Sequence, residues 1–283
     1  MYYCDPVGLA ADATVHETRK VCLNMDYTTI LFETSDDHVA TITLDRPDAM
    51  NAFNEAMCNE FEDAWKRVRE DDEIHSVVLR ASLDSRAFCT GVDVKDGYGY
   101  DEPENPFNRR DPGEFLGPKQ NLVWKPVICA IHGLAAGGAF YWINECDVTI
   151  CSDDAQFFDP HVTFGMATAC EPIGMLRHIP YGEAMRIALM GNDERVCAET
   201  ALRISLVTEV VPRDDLWERA HAIAAGIATK PSVAIQGTVR SIWDSQNSPP
   251  GEAIKWGFQY AMLGNGIAAL DRSKQPKAKW TLR

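Results

Sequence analysis

No stretch of this 283-residue chain approaches the ~20 consecutive apolar residues that a helix needs to cross a bilayer, and residues 1–20 lack the basic-then-apolar order of a secretory signal. No membrane partner is expected, and the simplest placement is cytoplasmic. Cysteine pairing is also missing. The nine cysteines are odd in number, contain no C-x-x-C spacing and scatter through apolar segments. They read as free thiols in a reducing compartment, and they offer neither a disulfide framework nor a metal-ligand spacing. Positive charge is scarce: 27 Lys and Arg stand against 42 Asp and Glu, a formal net charge of −15. That balance opposes a polyanion, so no nucleic-acid partner is expected, and a phosphorylated ligand needs a few well-placed local cations. No internal repeat appears.

What remains is ample material for a core. With 46% hydrophobic and 24% charged residues, the chain can fold as one large α/β domain, or as one domain with a helical appendage. Residues 1–26 show no periodicity and read as an N-terminal arm. Thr28–Glu33 and Val39–Leu44 alternate apolar and polar residues around Ser35-Asp36-Asp37, a hairpin pattern. From Asn54 onward, Met57, Phe61, Ala64 and Val68 recur at helical spacing before the apolar strand Val77–Leu79, so strand, helix and strand make a parallel crossover. Residues 96–117 are rich in Gly, Pro, Asn and charge and read as a surface loop. Lys125–Ile131 is a buried-type strand, Leu134–Asn144 reads as a helix opened by Gly137 and Gly138, and Val148–Cys151 is again a strand. Beyond Ala184 the chain is mostly helical, with apolar faces over Ala198–Leu206, Leu216–Thr229 and Ser232–Trp243. The organisation expected is a core over 27–212 and a helical region over 213–283.

Two glycine-containing turns each follow an apolar strand, Ala87–Lys95 (A-F-C-T-G-V-D-V-K) and Ile131–Ala139 (I-H-G-L-A-A-G-G-A). Glycine lets a ligand approach the main chain, so each turn can aim an N–H at one point, and two such donors form an oxyanion hole. Either turn alone also fits glycines that serve a tight bend or helix–sheet packing.

The order of segments resembles the crotonase (enoyl-CoA hydratase/isomerase) superfamily. T-L-D-R-P-D-A-M-N-A-F-N at 43–54, A-F-C-T-G-V-D-V-K at 87–95 and K-P-V-I-C-A-I-H-G-L-A-A-G-G-A at 125–139 stand in family order, followed by C-D-V-T-I-C-S-D-D-A-Q-F at 146–157 and A-L-R-I-S-L-V-T-E-V-V-P at 201–212. The resemblance implies an α/β fold with a ββα spiral core and C-terminal helices used in a homotrimer or a dimer of trimers. It implies an acyl-CoA thioester as substrate, with no cofactor beyond that CoA and no metal. By matching position, the backbone N–H groups of Val92 and Gly138 are the oxyanion donors. Asp93, Val94 and Lys95 would line the pantetheine, and Ala49, Met50 and Ala52 would sit near the adenine.

The sequence departs from its relatives where hydratases carry two working glutamates, because those positions hold Tyr141 and His161. Imidazole titrates near neutrality and Tyr can donate a hydrogen bond while staying neutral, so His161 and Tyr141 are candidate catalytic groups. Glu171 stands ten residues beyond His161. Relatives that hydrolyse a C–C bond between two carbonyls look similar in pairing a histidine with a carboxylate about that far downstream, so a His161/Glu171 acid–base pair is expected. The competing account makes His161 a satisfied buried histidine, Glu171 a helix-end carboxylate and Tyr141 a core residue. Asp159 reads as a loop or cap residue, and His132, Trp142 and Glu145 as structural. Phe140, Tyr141, Trp142, Phe157, Phe158 and Phe164 are either core or walls of an acyl pocket. Three functions follow from these readings: a hydratase/isomerase-type enzyme that stabilises a thioester enolate, a C–C hydrolase of a β-dicarbonyl or ring ketone, and a silent acyl-CoA-binding protein.

Overall fold

The computed structural model describes residues 27–96, 107, 110–263 and 282. The expected N-terminal arm at 1–26, most of the 96–117 loop and the end of the C-terminal helical region lie outside the described residues.

The hairpin forms from β1 (Ile30–Thr34) and β2 (Val39–Leu44), paired antiparallel with Ile30 opposite Leu44. Helix α1 (Glu55–Glu70) follows because Asn54 caps it, its side-chain oxygen accepting the Met57 N–H at 3.0 Å. Its apolar spacing then buries Met57, Phe61, Ala64, Trp65 and Val68. Burial of each large side chain contributes roughly 1.5–3 kcal/mol. At the far end, the ammonium of the buried Lys125 donates to the Val68 and Asp71 carbonyls at 2.7 and 2.6 Å, satisfying acceptors that a helix terminus leaves open. β3 (Ser76–Ala81) then pairs parallel to β2, which is the crossover the pattern implied.

From here the chain alternates between two sheets. After β3, β4 (Ala87–Cys89) enters a second sheet; β5 (Val127–Ile131) returns to the first and β6 (Leu134–Ala136) to the second; β7 (Val148–Ser152) and β8 (Gln156–Phe158) repeat the move. Each turn lays one strand parallel to its predecessor in each sheet, with the short helices α2 (Gly113–Leu116), α3 (Phe140–Ile143) and α4 (Cys170–Met175) on the return paths. This is a ββα spiral. After α5 (Tyr181–Met190), β9 (Val196–Cys197) closes the smaller sheet antiparallel to β8. β10 (Glu209–Val211), after α6 (Ala198–Arg203), ends the larger one in the order β1-β2-β3-β5-β7-β10.

The expected helix over Leu134–Asn144 needs correction. Leu134–Ala136 is strand β6, a 3-10 turn covers Gly137–Ala139, and α-helix begins only at Phe140. Pairing with β4 on one side and β8 on the other overrides the helical propensity of Leu-Ala-Ala, and Gly137, at φ +52°, breaks the strand.

Phe53, Phe61, Trp65, Phe88, Phe140 and Trp142 fill the centre of the spiral, with the Phe61 and Trp142 ring centroids 5.0 Å apart. Helix α7 (Leu216–Ala228) covers the outer face of the larger sheet, placing Leu216, Ala220 and Ala224 on Val78, Ile128 and Ile150. α8 (Ser232–Ser245) and α9 (Pro250–Leu263) pack on each other, and α8 buries no residue. No helix among the described residues is long and apolar enough to cross a membrane.

Candidate active site

The two glycine turns meet. After β4, Phe53 pairs with Val92: its N–H donates to the Gly91 carbonyl at 2.9 Å and its carbonyl accepts the Asp93 N–H at 2.8 Å. That alternation turns the Val92 N–H away from Phe53. Gly91 sits at φ +90°, and a β-carbon placed on it would lie 3.3 Å from the Gly138 nitrogen. Among the described residues, neither the Val92 nor the Gly138 N–H has a protein acceptor. The Phe53 ring occupies the space that a Gly138 side chain would need.

His161 flanks this turn. A β-carbon on Gly137 would lie 3.6 Å from the His161 Cε1 atom, so the imidazole stands directly against the glycine pair. Its orientation comes from Asp159, which is fully buried. The backbone N–H of His161 donates to Asp159 Oδ1 at 3.1 Å, and its Nδ1 donates to the same oxygen at 2.5 Å. The Thr168 hydroxyl donates to the other oxygen, Oδ2, at 2.5 Å. On the opposite side of the ring, Nε2 faces Glu171 Oε1 across 3.9 Å. That gap is too long for a direct hydrogen bond.

These contacts split the two carboxyls. Burial pushes the Asp159 pKa upward, but the hydrogen bonds from His161 and Thr168 outweigh it and hold the group below its ordinary value. Glu171, buried without comparable donors, is raised by desolvation. His161 is raised by its hydrogen bond to Asp159, against the opposing effect of burial. Donor atoms of Asp159, His161 and Glu171 lie within 4.8 Å of one another, close enough to share a cation. Yet Nδ1 and Oδ1 are engaged with each other, which leaves only Nε2 and Glu171 facing outward, a poor donor set for a metal and a good one for moving a proton.

Tyr141 is half-buried, and its phenol donates to Asp111 Oδ2 at 3.0 Å. Desolvation raises its pKa, and the carboxylates of Glu171 and Asp111 raise it further, so the phenol is neutral at working pH. Phe140, Trp142 and Phe157 are fully buried core, whereas Phe164 is exposed. His132 and Glu145 are structural as expected: the His132 ring contacts the Ser85 carbonyl at 3.1 Å, and the Glu145 carboxylate accepts the N–H groups of Lys119 and Gln120 at 2.7 and 3.1 Å.

On the other side of the glycine turns, Ala49, Met50 and Ala52 lie on a loop that enters left-handed geometry at Met50 and Asn51, with φ +51° and +53°. Arg46 pins this loop to the Val92 turn, donating to the Ala52 carbonyl at 2.5 Å and to Asp93 Oδ2 at 3.0 Å. Asp93 Oδ1 accepts the Lys95 and Asp96 N–H groups at 3.0 and 3.2 Å, and Val94 and Lys95 are exposed beside it.

The sequence profile of the enoyl-CoA hydratase/isomerase family matches residues 34–262. The chain belongs to this family. An (E)-benzylidenesuccinyl-CoA hydratase of Thauera aromatica is 33% identical over 232 residues, covering 82% of this chain and 87% of the relative. A probable enoyl-CoA hydratase of Mycobacterium bovis is 34% identical over 253 residues, covering 88% and 94%. The crystal structure of an enoyl-CoA hydratase/isomerase from Mycobacterium paratuberculosis superposes with a TM-score of 0.80 at 32% identity, covering 91% of this chain and all of that one.

Within this enoyl-CoA hydratase/isomerase family member, the structure brings His161, Glu171 and Gly138 into one neighbourhood and directs Tyr141 toward Asp111. Reading the sequence missed Asp111, Thr168 and Arg46, and gave Asp159 too small a part. Asp159 does cap the turn at His161, but the same oxygen also holds the ring. The signal was the i, i+2 spacing of Asp159 and His161 around Pro160, which lets a single carboxylate reach both backbone and side chain.

Proposed function

We propose that this chain adds water to a 2-enoyl-CoA, with the Val92 and Gly138 N–H groups holding the thioester oxygen and the His161/Glu171 pair exchanging protons with water and the acyl group. The observation that carries the reading is the pair of adjoining backbone donors without protein acceptors, with the His161 ring against the same turn. Charge that develops on the thioester oxygen as an enolate forms is stabilised there, an effect worth roughly 3–4 kcal/mol per donor. Tyr141 stays neutral, bounds the acyl pocket and leaves its oxygen free to accept a hydrogen bond from the incoming water or the 3-hydroxyl that it forms. Val92–Lys95 line the pantetheine, Ala49–Ala52 face the adenine, and Lys95 supplies the local positive charge that a net charge of −15 makes necessary, since Arg46 is paired with Asp93 and Asp96. No cofactor or metal takes part, so exhaustive chelation leaves the rate unchanged. The names of the two curated relatives, both hydratases, favour water addition over isomerisation. A second reading, C–C hydrolysis of a β-dicarbonyl, draws on the same His161–Glu171 juxtaposition.

Crotonyl-CoA separates the two. Hydration by the parent protein, with turnover reduced by about 10²–10⁴ in His161→Ala while acyl-CoA binding is retained, is the expected result. Turnover in His161→Ala equal to that of the parent overturns the assignment of the base. A parent protein that is inert toward crotonyl-CoA yet cleaves a β-dicarbonyl favours the second reading.

A further inference from the structure

Counting hydrogens around His161 takes the site one step further, resting on the reading just given. Asp159 receives three donors: the His161 N–H, the His161 Nδ1–H and the Thr168 hydroxyl. The Thr168 oxygen also lies 3.5 Å from Glu171 Oε2. A threonine hydroxyl has one hydrogen, and here it points to Asp159 at 2.5 Å, so toward Glu171 the same oxygen presents only lone pairs. An ionised Glu171 would face those lone pairs; a protonated one has an acceptor waiting.

We infer that Asp159 and Thr168 are positioning residues that fix where protons sit. Asp159 stays ionised and locks His161 with Nδ1 protonated and Nε2 open toward the acyl pocket. Thr168 spends its only hydrogen on Asp159, so Glu171 is the carboxyl that carries a proton into the reaction. The assignment balances. A water oxygen bonds to the β-carbon as one of its hydrogens passes to Nε2, and the C=C electron pair moves to give the enolate. Glu171 delivers its proton to the α-carbon and becomes ionised. The proton on the imidazolium then crosses the 3.9 Å gap to Glu171 through the next water, restoring both groups. Among the described residues, the titratable groups that face Glu171 include His161, Asp159, Asp111 from the segment before α2, Tyr141 from α3 and Cys170 from α4. All but His161 are acidic or neutral, so among these groups the imidazolium is the counter-charge for Glu171 once it has given up its proton.

The test uses the full-length protein and two readouts that need no turnover. Nitrogen NMR of the His161 ring is expected to show the Nδ1–H form above its titration, and infrared difference spectra at neutral pH to show a protonated carboxyl band that disappears in Glu171→Gln. Absence of that band, or an Nε2–H tautomer, overturns the inference even if the enzyme hydrates crotonyl-CoA. Kinetically, Asp159→Asn should lower kcat by about 10²-fold or more with little change in KM, and Asp159→Asn/His161→Ala should be no slower than His161→Ala alone. A further loss in the double variant means that Asp159 does not act through His161. Thr168→Val, which is close in shape, should shift the alkaline limb of the pH–rate profile, where Glu171 loses its proton; an unshifted profile contradicts the part assigned to Thr168. His161→Ala with full activity sinks the hydratase reading itself, whereas His161→Ala inactive beside Asp159→Asn fully active sinks only this inference.

Discussion

At the scale of single residues, the contrast between Asp159 and Glu171 carries the proposed chemistry. Both are buried carboxyls within a few ångströms of one imidazole, and what separates them is the number of hydrogen-bond donors each receives. The contrast has a cost in stability. Because burial raises the Glu171 pKa, the folded chain holds that proton to higher pH than the unfolded chain does. Its contribution is therefore fully present below the unfolded pKa and is lost as pH rises through the folded one. Glu171→Gln cannot ionise, so its Tm should match the parent in acid and exceed it at pH ~8 while turnover falls. Thermal melts across that range check this, and a constant offset at all pH values contradicts it. Reading the sequence singled out His161 and Glu171 because they fall on family positions with distinctive side chains, and the structure sets their side chains 3.9 Å apart. It could not weigh Asp159, because an Asp-Pro dipeptide reads as a turn, and its burial and bond to the ring arise only when the 3-10 turn at His161–Phe164 docks on Gly137.

At the scale of elements, legibility followed length. Helix α1 showed itself through Met57, Phe61, Ala64 and Val68 at helical spacing, and the structure buries all four and adds the Asn54 cap. Asn54→Ala should cost about 1 kcal/mol, read as a lower unfolding midpoint in urea with unchanged slope. A change below a few tenths would mean that solvent already satisfies the Met57 N–H that Asn54 caps. The strands β4, β6 and β8 have three residues each, too few to display an alternation, and so the second sheet was invisible in the sequence. Those short strands are what deliver the candidate site: β4 ends at the Val92 turn, β6 at Gly137-Gly138, and β8 at Asp159-Pro160-His161. The spiral stacks them side by side, so three loop starts distant in sequence open at one edge.

At the scale of the whole molecule, one chain leaves apolar surface uncovered on its C-terminal helices. Val233 and Ile242 on α8, and Ile254, Phe258 and Leu263 on α9, are exposed, and apolar helix surface of this kind marks contacts between chains. Light scattering should therefore give the mass of a trimer, or of two stacked trimers, of the 31.5 kDa chain; a monodisperse monomer contradicts the proposed assembly. The spiral, the family and the meeting of the two turns all bear on a single claim, that Val92 and Gly138 grip one oxygen. A crystal structure with a non-hydrolysable acyl-CoA analogue tests it most directly. The account predicts the thioester oxygen within hydrogen-bond reach of both nitrogens, about 2.7–3.1 Å, and the β-carbon turned toward His161 Nε2. An oxygen bound elsewhere, with the two N–H groups on water, contradicts it.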